Sequence, residues 1–191
     1  MKKKIISLIL VFVIIAAVGC NNKDDIQNPP KIHDDYKGIH EENVVETDKY
    51  ILYNGNTDYV IVIPEDASPI VSLAGEELQS IFLEATNIKL NILNDNDTSI
   101  TPQTKMFSVG KTKFLQSEGI TVDPELLGRE GFRLITKGNN IFMFGAGEYG
   151  TLFAVYEFLN RILNFEQFFI DTYSLNTNVR EIKLFNYNIT D

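Results

Sequence analysis

One segment rich in apolar residues, 131–163 in the second half of the chain, limits the fold more than any other feature of the sequence. Two strand-like runs, 131–136 and 140–144, flank Lys137-Gly138-Asn139, a tripeptide typical of a hairpin turn. Residues 145–150 follow directly and open an apolar segment of helical periodicity that ends near Leu163. A hairpin followed at once by a helix predicts a sheet with a helix packed on it, because each element has an apolar face to bury.

The residues between 50 and 117 predict further strands and one long helix. Runs at 50–53 and 59–63 are separated by Asn54-Gly55-Asn56, a turn-forming cluster typical of a hairpin. Ser68 suits an N-cap and Pro69 the first helical position, so apolar residues at helical spacing predict a helix over about 69–86. The remaining predicted elements are strands near 89–93, 106–109, 165–170 and 181–185 and a short helix near 112–117. Because hairpins join several strands, the predicted fold class is α+β, a mixed and largely antiparallel sheet with two main helices packed on one face.

The first twenty residues have the pattern of a bacterial secretion signal. Three lysines at 2–4 precede an apolar run over 5–18, which is shorter than the roughly 20 residues needed to span a bilayer. Ala17-Val18-Gly19-Cys20 resembles the lipobox of bacterial lipoproteins, in which the cysteine is acylated and becomes the new N-terminus. The resemblance implies a signal peptide over 1–19, lipidation at Cys20, and a membrane-anchored protein of the bacterial cell envelope, at the outer membrane or cell surface. A plain N-terminal anchor with an incidental cysteine is the alternative.

The signal is followed by a polar segment and then by one domain. Residues 20–48 are rich in Asn, Asp, Glu, Lys and Pro and show no sustained periodicity, which predicts a flexible tether. The predicted domain occupies 49–191.

Composition excludes several classes of function. The chain has 17 basic and 26 acidic residues, a formal charge of −9, so nucleic acid is not an expected partner. One cysteine excludes a disulfide framework, and two histidines leave little room for a His-based triad or metal cluster. We expect no metal and no cofactor, and interpret paired acids such as Glu76/Glu77 and Asp95/Asp97 as solvated charge.

The glycines at the start of the second helix allow two interpretations. Gly145-Ala146-Gly147-Glu148-Tyr149-Gly150 fits the G-x-G-x-x-G pattern of dinucleotide-binding turns, with Asp171 suitably placed for a ribose hydroxyl. Only 41 residues follow Gly150 in this chain of 191, however, whereas that fingerprint opens a fold with several further parallel strands. We favour a glycine turn that lets the helix pack closely on the sheet.

Six segments together share the pattern of a known domain. They are 59–64, 74–78, 106–112, 131–135, 141–145 and 150–159. The chain over about 50–187 resembles the non-catalytic N-terminal domain that precedes the catalytic barrel of bacterial alpha-glucuronidases and beta-N-acetylhexosaminidases. In that family the catalytic carboxylates belong to the barrel, and this sequence ends about where the barrel would begin. The resemblance therefore implies a chain that is not itself an enzyme, and an accessory domain of a truncated or split glycoside hydrolase in carbohydrate metabolism.

The second predicted helix is apolar nearly all round. Phe153, Ala154 and Phe158 fall outside its main apolar stripe, and the sheet can cover only one side of a helix. We therefore expect these three residues to form a docking face for a catalytic barrel domain or another protein.

The alternative function is a stand-alone surface lipoprotein that binds glycans. Aromatic rings can stack on sugars, and Tyr50, Tyr53, Phe168 and Tyr173 are the residues considered for polysaccharide binding. Aromatic residues at strand spacing are more often core, so no glycan contact is assigned.

Substituting Cys20→Ala should abolish lipid attachment and signal removal, because acylation of the thiol precedes cleavage in lipoproteins. We expect alkyne-palmitate labelling of the wild type and of the matched control Asn21→Ala, and no labelling of Cys20→Ala. Intact-mass measurement should show that Cys20→Ala retains residues 1–19. An unlabelled wild type would instead favour the plain anchor.

Overall fold

The structure, a computed structural model, describes residues 40–169 and 172–191. The signal peptide at 1–19, Cys20, the tether as far as residue 39, and Asp171 lie outside the described residues. The helices are α1 (Pro69–Thr86), α2 (Lys113–Ser117), α3 (Pro124–Leu127) and α4 (Glu148–Leu163). The strands are β1 (Glu41–Leu52), β2 (Tyr59–Ile63), β3 (Ile92–Asn94), β4 (Lys105–Val109), β5 (Phe132–Lys137), β6 (Asn140–Gly145), β7 (Glu166–Phe169), β8 (Thr172–Ser174) and β9 (Ile182–Thr190).

Seven of these strands form one mixed sheet in the order β1-β9-β5-β6-β4-β2-β3. The junctions from β1 to β6 are antiparallel, and those from β6 to β3 are parallel. Strands β7 and β8 pair with each other as a separate antiparallel ribbon. The predicted α+β class with a mixed, largely antiparallel sheet is confirmed.

The long helix α1 begins and ends where local chemistry predicts. The Ser68 side chain accepts a hydrogen bond from the Val71 amide, and Pro69 occupies the first helical position. At the other end Asn87 adopts a left-handed conformation with φ of 61° and donates its amide to Leu83. Its predicted bounds of 69–86 are confirmed at both ends.

Both faces of the sheet are covered, by layers of different size. Helices α1 and α4 pack against each other and against one face, which carries the main core. On the opposite face, Phe142 and Phe144 of β6 pack with Ile135 against Leu115 and Ile120 from α2 and the loop after it. Strand alternation explains the division, because successive side chains of β6 point to opposite faces.

The predicted docking face on α4 is wrong for two of its three residues. Ala154 and Phe158 are fully buried within this domain. The Phe158 ring lies 5.4 Å from that of Phe107 and meets Tyr187 edge-on at 6.1 Å. The sheet and α1 together enclose the helix, so no partner is needed to cover Phe158. Phe153 alone stays at the surface, 40% exposed.

The predicted tether boundary at residue 48 is also wrong, because β1 already begins at Glu41 and pairs with the end of β9. The sequence pattern does not predict β1 because its residues are mostly polar. An edge strand can be polar, since it keeps charged side chains in water. Glu42 accepts two hydrogen bonds from Arg161 of α4, at 2.9 and 3.0 Å, and Glu46 pairs with Lys183.

The turn at Asn54-Gly55-Asn56 forms, but it does not join a hairpin. Tyr53 and Asn56 exchange two backbone hydrogen bonds of 3.0 Å, and Gly55 has a φ of 74°. The flanking strands then separate, because β1 lies at the sheet edge and β9, β5, β6 and β4 stand between it and β2. The ribbon strand β8, the capped turn α3 and the C-terminal half of β9 were not predicted.

The burial of α4 leads to a paired prediction. Phe158→Ala should lower the free energy of unfolding by about 3–5 kcal/mol, because it leaves a cavity in the core. Phe153→Ala should cost less than about 1 kcal/mol, because its side chain already contacts water. Urea denaturation followed by circular dichroism measures both values. Similar losses for the two variants would contradict this packing.

Candidate functional site

The glycine turn between β6 and α4 allows two backbone segments of this chain to pack closely against each other. A Cβ atom on Gly147 would lie 2.4 Å from the carbonyl oxygen of Arg129, and one on Gly150 would lie 2.3 Å from that of Gly131. Helix α4 is followed by the β7–β8 ribbon rather than by a parallel strand beside β6. The favoured interpretation, a turn for close helix packing, is confirmed. The turn packs against the residues just before β5 as well as against the sheet.

Two acidic residues, Asp95 and Glu42, are engaged in structural contacts. Asp95 is buried, which corrects its interpretation as solvated charge, and it accepts backbone hydrogen bonds from Glu65 at 3.1 Å and Lys113 at 2.8 Å. The hydrogen bonds from Arg161 hold the pKa of Glu42 below its usual value. Among residues 40–169 and 172–191, no cluster of three or more His, Cys, Asp or Glu side chains has the arrangement of a metal site.

Two groups of exposed aromatic side chains are the strongest candidate sites. The first, the helix-start patch, consists of Tyr149 and Phe153, which are four residues apart and therefore share one side of α4. The second, the ribbon patch, consists of Phe168 and Phe169 of β7 and Tyr173 of β8, which are 57%, 77% and 44% exposed. About ten residues of α4 separate Phe153 from the helix end that leads into the ribbon, or roughly 15 Å at 1.5 Å per residue.

The helix-start patch continues towards α1 through a polar contact. Tyr156 lies on the same side of α4, three residues after Phe153, and is half buried. Burial raises the pKa of Tyr156, and the charge and hydrogen bond of Glu77 on α1 raise it further. Beyond this contact the outer side of α1 exposes Leu73, one turn before Glu77.

The ribbon patch is tied to the domain through Tyr173. Its ring centre lies 5.6 Å from that of Phe165, which in turn lies 5.8 Å from Tyr156. Its hydroxyl donates to Glu84 of α1, with distances of 3.0 and 2.8 Å to the two carboxylate oxygens. This hydrogen bond to an anion raises the pKa of Tyr173, because ionising the phenol would place two negative charges together.

The structure groups the aromatic residues named from the sequence into two places. Phe168 and Tyr173 lie on the paired ribbon strands β7 and β8, whereas the rings of Tyr50 and Tyr53 meet at the end of β1, with centres 4.7 Å apart and planes tilted by 52°. Sequence reasoning missed Phe169. The available signal was a pair of consecutive phenylalanines in a short strand with polar neighbours. Because successive strand side chains point to opposite faces, one of the two was expected to face away from the core.

Comparison with known proteins gives structural neighbours only. No protein-family model matches the chain, and no curated protein matches it. The glycoside hydrolase chain CpGH84D shares the fold with a TM-score of 0.50 and 13% identity, over 78% of this chain and 22% of that one. CpGH84B gives a TM-score of 0.44 and 14% identity, over 78% and 21%. BtGH115A, a family GH115 4-O-methyl-alpha-glucuronidase with specificity for decorated arabinogalactans, gives 0.39 and 13%, over 60% and 14%.

This chain therefore has a fold found in part of a glycoside hydrolase chain. It spans about a fifth of the length of CpGH84D. In the part of the chain that the structure describes, no helix is both long and apolar enough to cross a membrane.

A glycine substitution tests the packing role of the turn. Gly→Ala inside a helix usually stabilises by about 1 kcal/mol through helix propensity. Gly150→Ala should instead destabilise by about 2–4 kcal/mol, because its Cβ would overlap the Gly131 carbonyl oxygen. Gly75→Ala in α1 is the matched control, where the new Cβ would meet only side-chain methyl groups, of Ile63 at 3.1 Å and Ile61 at 3.8 Å, and we expect a change within about 1 kcal/mol. Thermal unfolding measures both, and a stabilised Gly150→Ala variant would refute the contact.

Proposed function

We propose that this protein is a membrane-tethered, non-catalytic accessory domain of carbohydrate metabolism, which positions a glycoside hydrolase catalytic domain. The observation that carries the proposal is the fold shared with 22% of the CpGH84D chain. A fold alone does not define an activity, so the assignment rests on combining it with the surface of this chain. The tether follows from the lipobox-like sequence before Cys20, and the location is the bacterial cell envelope.

The use of its carboxylates supports a non-catalytic role. Glycoside hydrolysis generally requires two carboxyl groups about 5–10 Å apart across a sugar, one of them free to donate a proton. Asp95 is occupied by two backbone amides, Glu42 by Arg161, and Glu84 by the Tyr173 hydroxyl. These contacts give the three carboxylates structural tasks.

The helix-start patch is the proposed docking site for the catalytic domain. Tyr149 and Phe153 expose aromatic rings on a rigid helix, and such residues are common at the centres of protein interfaces. The glycoside hydrolase neighbour supplies the chemistry of the occupant, since more than three quarters of that chain lies outside the match. Only Phe153 remains from the docking face expected from the sequence.

Site-specific photocrosslinking tests the docking. We would place a photoreactive phenylalanine analogue at Phe153, and at the exposed Val45 of β1 as the matched control, in cells that produce the protein. The expected result is a crosslink at residue 153, at least tenfold stronger than at residue 45, to a protein that mass spectrometry identifies as a glycoside hydrolase catalytic domain. A crosslink from residue 153 only to proteins unrelated to carbohydrates would refute the docking.

The non-catalytic role has a separate test. The purified full chain should release no chromophore from a panel of aryl glycosides, including glucuronides and N-acetylhexosaminides. Turnover that elutes apart from the chain on gel filtration would indicate a contaminating enzyme. Turnover that elutes with the chain would overturn the non-catalytic assignment.

A further inference from the structure

We propose that Phe168 and Phe169 of β7, named here the ribbon tip, insert into the headgroup region of a zwitterionic lipid bilayer. The inference rests on the membrane tether of the proposed function, because that tether brings the domain to a bilayer. It adds a second contact, which fixes how the domain is oriented on the membrane. The ribbon tip shares no residue with the helix-start patch, so the docking site and the lipid contact are separate surfaces.

The ribbon tip points away from the domain. Tyr173 of β8 faces the domain, where its ring contacts that of Phe165. Across the ribbon Tyr173 pairs with Gln167, so strand alternation places Phe168, the next residue of β7, on the outer face. Phe169 follows and belongs to the last backbone pair of the ribbon. The domain therefore presents this end of β7 outwards.

These two rings are the most exposed large apolar side chains in the part of the chain that the structure describes. Phe168 is 57% exposed and Phe169 is 77% exposed. At roughly 200 Å² for a whole phenylalanine side chain, the two offer roughly 250 Å², well below the roughly 800 Å² that each partner buries in a stable protein interface. Exposed apolar groups mark either protein or membrane contacts, and this small area favours shallow insertion into lipid.

The predicted tether keeps the ribbon tip within reach of a bilayer. Residues 21–39 can span at most about 65 Å, at about 3.4 Å per residue. The described domain begins just before Glu42, which accepts two hydrogen bonds from Arg161 near the end of α4. The ribbon begins five residues later, at Glu166. The tether thus joins the domain near the ribbon, and the lipid anchor makes a weak contact intramolecular, at a high effective concentration.

Charge selects the type of lipid surface. The ribbon strands β7 and β8 include Glu166 but no lysine or arginine, on a chain whose formal charge is −9. Anionic lipids attract basic segments and repel acidic ones. Zwitterionic headgroups have no net charge, so burial of the two rings decides the contact there.

Insertion of the ribbon tip leaves the proposed docking site accessible. The ribbon follows the C-terminal end of α4, whereas Phe153 of the helix-start patch lies roughly 15 Å away along the helix. A bilayer in contact with the ribbon therefore does not cover the helix-start patch, and a catalytic domain can still dock.

A single engineered tryptophan tests the contact, because the chain has no tryptophan of its own. The lipidated full chain carrying Phe169→Trp is reconstituted into phosphatidylcholine liposomes that contain lipids brominated at a known depth. We expect bromine near the headgroups to quench residue 169 at least about threefold more than the matched control Tyr53→Trp, an exposed aromatic elsewhere. Adding Phe168→Ser to Phe169→Trp should lower the quenching about twofold or more, because one inserted ring is lost.

Flotation of the same liposomes separates failure of the tether from failure of the lipid contact. Variants that float but show equal quenching at residues 169 and 53 retain the tether and overturn the lipid contact. Quenching that is unchanged by Phe168→Ser, or that requires phosphatidylglycerol in the liposomes, also overturns it. A chain that does not float lacks the anchor, and the lipid contact is then refuted together with the tether. The crosslink at Phe153 is measured independently, in cells.

Discussion

The close approach of backbones at the start of α4 is the constraint on which the rest of the structure depends. Cβ atoms added to Gly145, Gly147 and Gly150 would each lie within 2.3 to 2.6 Å of another backbone atom. The same region includes Gly131, whose added Cβ would lie 2.7 Å from the carbonyl oxygen of Asp191, just after β9. The start of α4, the start of β5 and the end of β9 therefore meet at one place. This contact sets how close α4 lies to the sheet, and so allows Phe158 to reach the core.

Polar side-chain contacts join further elements of the fold, in addition to the backbone packing at the start of α4. Arg161 near the end of α4 reaches Glu42 on β1 while Glu157, one turn earlier, accepts from the same guanidinium at 2.6 Å. These pairs attach the edge strand to the helical layer, and its charged side chains discourage pairing with a further strand. On the other side, buried Asp95 connects the end of β2 with the start of α2. These three acidic residues thus have a structural use, which a count of charges does not reveal.

The two aromatic patches give the domain two surfaces of different character. The helix-start patch lies on the long helix α4, next to the half-buried Tyr156. The exposed rings of the ribbon stand instead on a two-stranded element, which is joined to the domain through Tyr173, in contact with Phe165 and donating to Glu84.

The sequence by itself determined those elements whose formation depends on interactions between residues close together in the chain. Ser68 and Pro69 define the start of α1, and the Lys137-Gly138-Asn139 turn joins β5 to β6 as expected. The tertiary structure alone decided which strands become neighbours, because pairing depends on contacts far apart in sequence. It placed the polar strand β1 beside β9, separated it from β2 despite the turn at Asn54-Gly55-Asn56, and buried Phe158 while leaving Phe153 in water. Helical periodicity shows which residues of a helix are apolar. Which of its apolar sides a second helix covers is decided only in the assembled fold, because that depends on contacts between residues far apart in the sequence.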